Sequence, residues 1–115
     1  MQFLLMIYAD ESAVESAGKD EVARTLRDYA AFTDALQRTG VYVGSNRLRE
    51  TRAAKTIRVR EGRSRVVDGP FTETKEQLGG YYLIDVPDFD AALSWAERCP
   101  GAAHGTVEVR PVWRS

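Results

Sequence analysis

Residues Phe3-Leu4-Leu5-Met6-Ile7-Tyr8 are apolar or aromatic without interruption. Side chains alternate across a strand, so Gln2 to Tyr8 sends Phe3, Leu5 and Ile7 to one side and Leu4, Met6 and Tyr8 to the other, and such a strand is covered on both faces. From Lys19 to Thr39 the period becomes helical. Val22, Leu26, Tyr29, Ala30, Thr33 and Leu36 form one stripe to be buried, and Gly40 stands where a left-handed C-terminal cap belongs. Val41 to Leu48 predicts a strand. Lys55 to Arg60 and Ser64 to Asp68 predict the arms of a hairpin turning at Glu61-Gly62-Arg63. Gly80 to Val86 is again apolar on both sides, apart from Asp85. After Pro87, Asp88 is placed to cap a helix bearing Phe89, Ala92, Leu93, Ala96 and Cys99 along one side and ending at Pro100-Gly101. Thr106 to Trp113 closes the chain as a strand, with Val107 and Val109 on one face and Glu108, Arg110 and Val112 on the other.

Strand, helix, strand, hairpin, strand, helix, strand is the split βαβ order with a hairpin inserted. It predicts an α+β domain over residues 1–115: a four-stranded antiparallel sheet with both helices on one face. No helix remains to cover the second apolar face, and an open face of that kind marks an interface. The simplest cover is a second copy of the chain, a two-fold homodimer.

Composition narrows the classes. A chain of 115 residues fits one domain, and a net charge of -1 gives no bulk attraction to nucleic acid or to an anionic membrane. Cys99 is the single cysteine and cannot form an internal disulfide; the apolar run Phe3 to Ala9 is too short to span a bilayer, so a cytoplasmic protein is expected. The charge is unevenly spread. Arg47 to Arg65 carries a local +6 and leaves about -7 elsewhere, which makes that segment either a solvated hairpin or a basic patch for a partner.

The blocks DGPF (Asp68 to Phe71), TKEQLGGYYLIDV (Thr74 to Val86), SWAERCP (Ser94 to Pro100) and HGTVEVRPV (His104 to Val112) follow one another in an order that resembles the YCII-related family, in its DGPF subgroup. The resemblance implies a ferredoxin-like protomer paired into a dimeric α/β barrel. It also implies an association with extracytoplasmic-function sigma factors, and relatives that act as small-molecule lyases or isomerases on ring compounds. In the narrower YciI-like subgroup the proposed acid/base pair uses a histidine on the first helix. Lys19 to Thr39 contains no histidine, so that role does not carry over.

Candidate chemistry falls in three places. Asp68-Gly69-Pro70-Phe71 has the residues of a turn, Phe71 is a candidate core anchor for the loop, and Thr72 to Gln77 has the composition of one helical turn. Alternatively Asp68, Thr72 and Lys75 line the mouth of a dimer cleft and orient a polar ligand. His104 is the only histidine and the one side chain poised to exchange a proton unaided near neutral pH. Since the last strand is antiparallel to the first, His104 is expected beside Tyr8 and Asp10. Asp68 precedes a strand expected to run parallel to the first, which puts it at the far end of the sheet, about 20 Å away at ~3.3 Å per residue. Asp10 is therefore the expected partner of His104, with Asp10 or Asp68 as base and Tyr8, Glu108 and Arg110 positioning a substrate. One cysteine and one histidine cannot build a structural zinc site, and no dinucleotide or phosphate-loop motif occurs, so neither metal nor cofactor is expected. Trp95 and Trp113 are expected to pack. The functions in view are a cofactor-free small-molecule enzyme and a regulatory module that meets a sigma factor, with direct nucleic-acid binding ranked last.

Overall fold

A computed structural model describes residues 1–114. Six strands and four helices are arranged in the order β1 (Gln2–Ala9), α1 (Glu11–Glu15), α2 (Lys19–Thr39), β2 (Tyr42–Arg47), β3 (Lys55–Arg60), β4 (Arg63–Asp68), β5 (Gln77–Asp85), α3 (Phe89–Arg98), α4 (Gly101–His104) and β6 (Thr106–Pro111). A 3₁₀ turn, Thr51–Ala53, precedes the hairpin. The main sheet has the strand order β2-β5-β1-β6, and each neighbouring pair is antiparallel; β3 and β4 form a separate two-stranded sheet.

The doubly apolar strands β1 and β5 are the central pair, as their patterns require. Phe3 lies opposite Ile84 and Leu5 opposite Tyr82, and these side chains point to the helices. Phe32 and Leu36 of α2, Ala92 and Ala96 of α3, and Cys99 complete the core. Phe32 meets Tyr82 edge to face at 5.1 Å, and Phe3 meets Phe89 at 5.1 Å. One polar pair is satisfied beside the core: the Thr33 and Tyr82 hydroxyls lie 2.7 Å apart. Full burial of a side chain such as Leu36 contributes roughly 1.5–3 kcal/mol.

Local signals worked where the chemistry is local. Helix α2 ends on Gly40 in the left-handed region, φ 79°, and Asp88 caps α3 by accepting the Ala91 N–H at 2.9 Å. Several expectations need correction. The buried line of α2 runs through Phe32 and Leu36, while Val22 and Leu26 stay 41% and 54% exposed, because the first half of the helix carries its stripe past the core. The segment Thr72 to Gln77 forms no helical turn; its last residue already begins β5. Helices α1 and α4 are additional single turns. Trp95 packs on Phe32 at 6.3 Å, but Trp113 is 96% exposed. The strand from Gln77 runs antiparallel to β1, with Gln77 opposite Ala9, so the connection from the hairpin arrives at the Asp10 end of the sheet and not at the far end. A strand central to an antiparallel sheet must oppose both its neighbours, which excludes the parallel direction.

No helix among the described residues is long and apolar enough to cross a membrane. The molecule is a slab, 47 × 43 × 19 Å, with a radius of gyration of 16.1 Å against about 13 Å for a compact domain of this length.

Candidate functional site

Antiparallel register assigns each residue of the helix-free face a place. In one row Arg110, Leu4, Leu83 and Gly44 lie side by side; in the next, Glu108, Met6, Tyr81 and Asn46; in the third, Thr106, Tyr8 and Leu78. The centre is therefore apolar and aromatic, partly buried only by its own neighbours, while the charged side chains stand on the β6 edge. The register brings Tyr8, Glu108 and Arg110 onto one surface. Tyr81 joins them. Its hydroxyl oxygen accepts the Asn46 amide at 2.8 Å, which leaves the phenolic hydrogen free to be donated. Tyr8 directs its hydroxyl at the Met6 sulfur, 4.0 Å away, a weak bond that a better acceptor can replace. The face can thus hold a flat apolar molecule and offer two phenolic donors, one carboxylate and one guanidinium.

At the Asp10 end of the sheet a shallow depression of about 300 Å³ lies between α1, the 3₁₀ turn and Gln77. Asp10 is the N-cap of α1: it accepts from Ser12 Oγ at 2.6 Å and from the Ser12 N–H at 3.0 Å, and these bonds hold its carboxyl below the usual aspartate range. A hydrogen-bonded carboxylate of lowered pKa is a weak base. Glu11 spends both oxygens on Thr51, one on the backbone N–H and one on Oγ1, each at 2.7 Å. Gln77 accepts the Glu11 N–H at 2.9 Å and donates to the Thr74 carbonyl at 2.6 Å. Glu76 accepts from Thr106 Oγ1 at 2.7 Å. Glu50 is held below the usual glutamate range by hydrogen bonding to its own backbone and then by the guanidiniums of Arg49 and Arg52, each at 3.4 Å. His104 ends α4, exposed, two residues before Thr106, the partner of Tyr8. It shares this end of the sheet with Asp10, whose side chain is engaged with Ser12 and not with the imidazole.

The DGPF turn closes the hairpin. Asp68 pairs with Lys55 across the first rung at 2.8 Å, both side chains exposed. The Gly69 N–H donates to the Ala54 carbonyl at 2.7 Å, and its own carbonyl accepts from Thr56 Oγ1 at 2.9 Å. Its φ of 100° is a conformation that side chains rarely adopt, so glycine belongs here. Phe71 is 71% exposed and therefore does not anchor the loop in the core; its ring lies 4.8 Å beneath the Arg58 guanidinium. Thr72 and Lys75 are exposed in the connection that follows.

The whole chain, residues 1–115, matches the YCII-related domain. The protein belongs to the YCII-related family. It is also 40% identical over 114 residues to an uncharacterized protein of Rhizobium meliloti (strain 1021), a match covering 97% of this chain and 92% of the relative.

In this YCII-related chain the groups that sequence reasoning missed are Glu11, Thr51, Gln77 and Glu76 at the sheet end and Tyr81 with Asn46 on the open face. The alternation of Gly80 to Val86 already put Tyr81 on the face opposite Tyr82, so Tyr81 was readable once Tyr8 was chosen. The Glu11 to Thr51 bond joins residues forty positions apart and leaves no local signal. On the helix side, burial raises the pKa of Tyr29, Tyr82 and Cys99 above their ordinary values, so these groups stay neutral in the core. Among the described residues no three His, Cys, Asp or Glu side chains gather with metal-binding geometry.

Proposed function

We propose that the protein works as a homodimer of ferredoxin-like protomers, open sheet face against open sheet face in a dimeric α/β barrel, and that the cleft between the faces binds a small molecule. The observation that carries this is the uncovered face itself. The chain exposes 8627 Å², whereas a folded monomer of its mass exposes about 6300 Å². The excess exceeds the ~800 Å² that each partner contributes to a standard interface. Within the cleft, Tyr8 and Tyr81 donate to a polar substituent, Arg110 takes a carboxylate or enolate, and Glu108 accepts a hydroxyl. The chemistry this set fits is a cofactor-free lyase or isomerase step on a ring compound, with His104 at the rim as proton carrier and Asp10 beside it as a fixed negative charge. Asp68 serves the hairpin through Lys55 and takes no step.

Sizing should give about 26 kDa, twice the 12.9 kDa chain. The Leu83→Arg variant, which puts a charge in the centre of the open face, should run as a monomer. A wild-type monomer at micromolar concentration would end the barrel reading. For the ligand, a thermal-shift screen of ring carboxylates and phenols reads binding directly, since a compound at 100 times its dissociation constant adds ~2.7 kcal/mol.

The basic hairpin favours a second reading, in which a member of the DGPF subgroup meets an extracytoplasmic-function sigma factor. Co-purification with such a factor, without a shift from any compound, would favour it over the first.

A further inference from the structure

Of the residues of β3 and β4, all but Thr56 are exposed. Its register sets Ile57 opposite Val66 and Val59 opposite Ser64 on one side, and Arg58 opposite Arg65 and Arg60 opposite Arg63 on the other. Ile57, Val59 and Val66 are 63%, 55% and 56% exposed. Like charges directly opposite one another destabilise a strand pair, and a lone two-stranded hairpin is marginal in water. Among the described residues its hydrogen bonds and ion pairs all fall within 54–69, so none of them ties it to the main sheet.

A second unmet surface is apolar as well. The stripe of α2 that is buried at Phe32 and Leu36 continues toward the N-terminus through Val22 and Leu26, which stay 41% and 54% exposed, and Val14 of α1 is 49% exposed. The same stretch of α2 carries Asp20, Glu21 and Asp28 against Lys19, Arg24 and Arg27 and is neutral overall. The hairpin, residues 54–69, carries Lys55, Arg58, Arg60, Arg63 and Arg65 against Glu61 and Asp68, a net +3, and the rest of the chain carries -4.

We infer that the hairpin is an arm that crosses the two-fold axis and lies with Ile57, Val59 and Val66 on Val22 and Leu26 of the second copy. This rests on the dimer proposed above and adds the contact that makes each protomer's arm part of the other's surface. Two-fold symmetry forms the contact twice. The arginines face away from the seat. Their part is to steer a +3 arm toward a -4 body, over distances near the ~8 Å screening length of physiological salt. The surface left over beyond a standard interface is large enough for arms and sheet faces together.

The test mixes two singly substituted chains, Val59→Cys and Leu26→Cys, at positions 55% and 54% exposed where neither change touches the core. Cys99 is buried and does not compete. A bismaleimide should give a covalent heterodimer only when both chains are present. In parallel, Ile57→Glu should raise the dimer dissociation constant at least tenfold. A dimer that yields no cross-link and keeps its affinity with Ile57→Glu overturns the arm and leaves the sheet dimer standing; a wild-type monomer overturns both.

Discussion

The Glu11 carboxylate holds Thr51 with both of its oxygens, at 2.7 Å to the backbone N–H and 2.7 Å to Oγ1. This clamp ties α1 to the 3₁₀ turn from which the hairpin departs. Removing one partner of a charged hydrogen bond costs about 1.5–3 kcal/mol. Glu11→Ala should lose stability of that order in urea unfolding, and the Thr51 amide should exchange faster with solvent. An unchanged Thr51 amide would mean the turn is held by other means.

Asp10 sets a pH dependence of known sign. Its folded pKa is lowered, so the stabilising cap is fully present above the unfolded aspartate value of about 3.9 and fades as the pH falls through the folded value. The Ser12 amide shift, followed by NMR, should titrate with a midpoint below about 3.9. A midpoint at or above that value would deny the cap. Asp10→Ala should remove the transition.

Gly105 joins α4 to β6 against the backbone of β1. A Cβ there would stand 2.1 Å from the Tyr8 carbonyl oxygen, and a backbone atom paired in the sheet cannot give way. Gly105→Ala should cost at least the 1–3 kcal/mol of an overpacked site and disturb the Tyr8 to Thr106 pairing. Gly79→Ala, whose nearest neighbour would be the Ile7 carbonyl at 3.9 Å, is the control and should leave the melting temperature nearly unchanged.

Asp68→Asn should be mild. The Lys55 pair is exposed on both sides, and such pairs contribute ~0–1 kcal/mol. Equilibrium unfolding should move by less than about 1 kcal/mol, and any ligand of the sheet face should bind as before. Loss of binding with stability intact would return the DGPF turn to the site.

What the sequence revealed follows from how far each signal reaches. The period of Lys19 to Thr39 and the cap at Gly40 are local, and the helix has those bounds. The alternation in Phe3 to Tyr8 and Tyr81 to Ile84 told which residues share a face, and burial against Phe32, Leu36, Ala92 and Ala96 tells which face the helices cover. It could not tell which way β5 runs, because a pattern of period two is the same in both directions; only the antiparallel pairing of Gln77 with Ala9 decides it. Val22 and Leu26 carry a core pattern without core burial, since periodicity reports a face and not what covers it. The groups around Asp10 come from segments up to sixty-six positions apart in the chain, as Glu11 and Gln77 are, and are joined only by folding.

The hairpin also bears on solubility. β3 and β4 pair only with each other, so each presents an outer edge of unpaired backbone groups, between Ile57, Val59, Val66 and Val67, a composition that recruits further strands. The facing pairs Arg58 with Arg65 and Arg60 with Arg63, costly to the hairpin itself, repel an incoming copy that would stack in register. The same arginines that weaken the hairpin thus place like charges wherever a second copy would have to add to its edge.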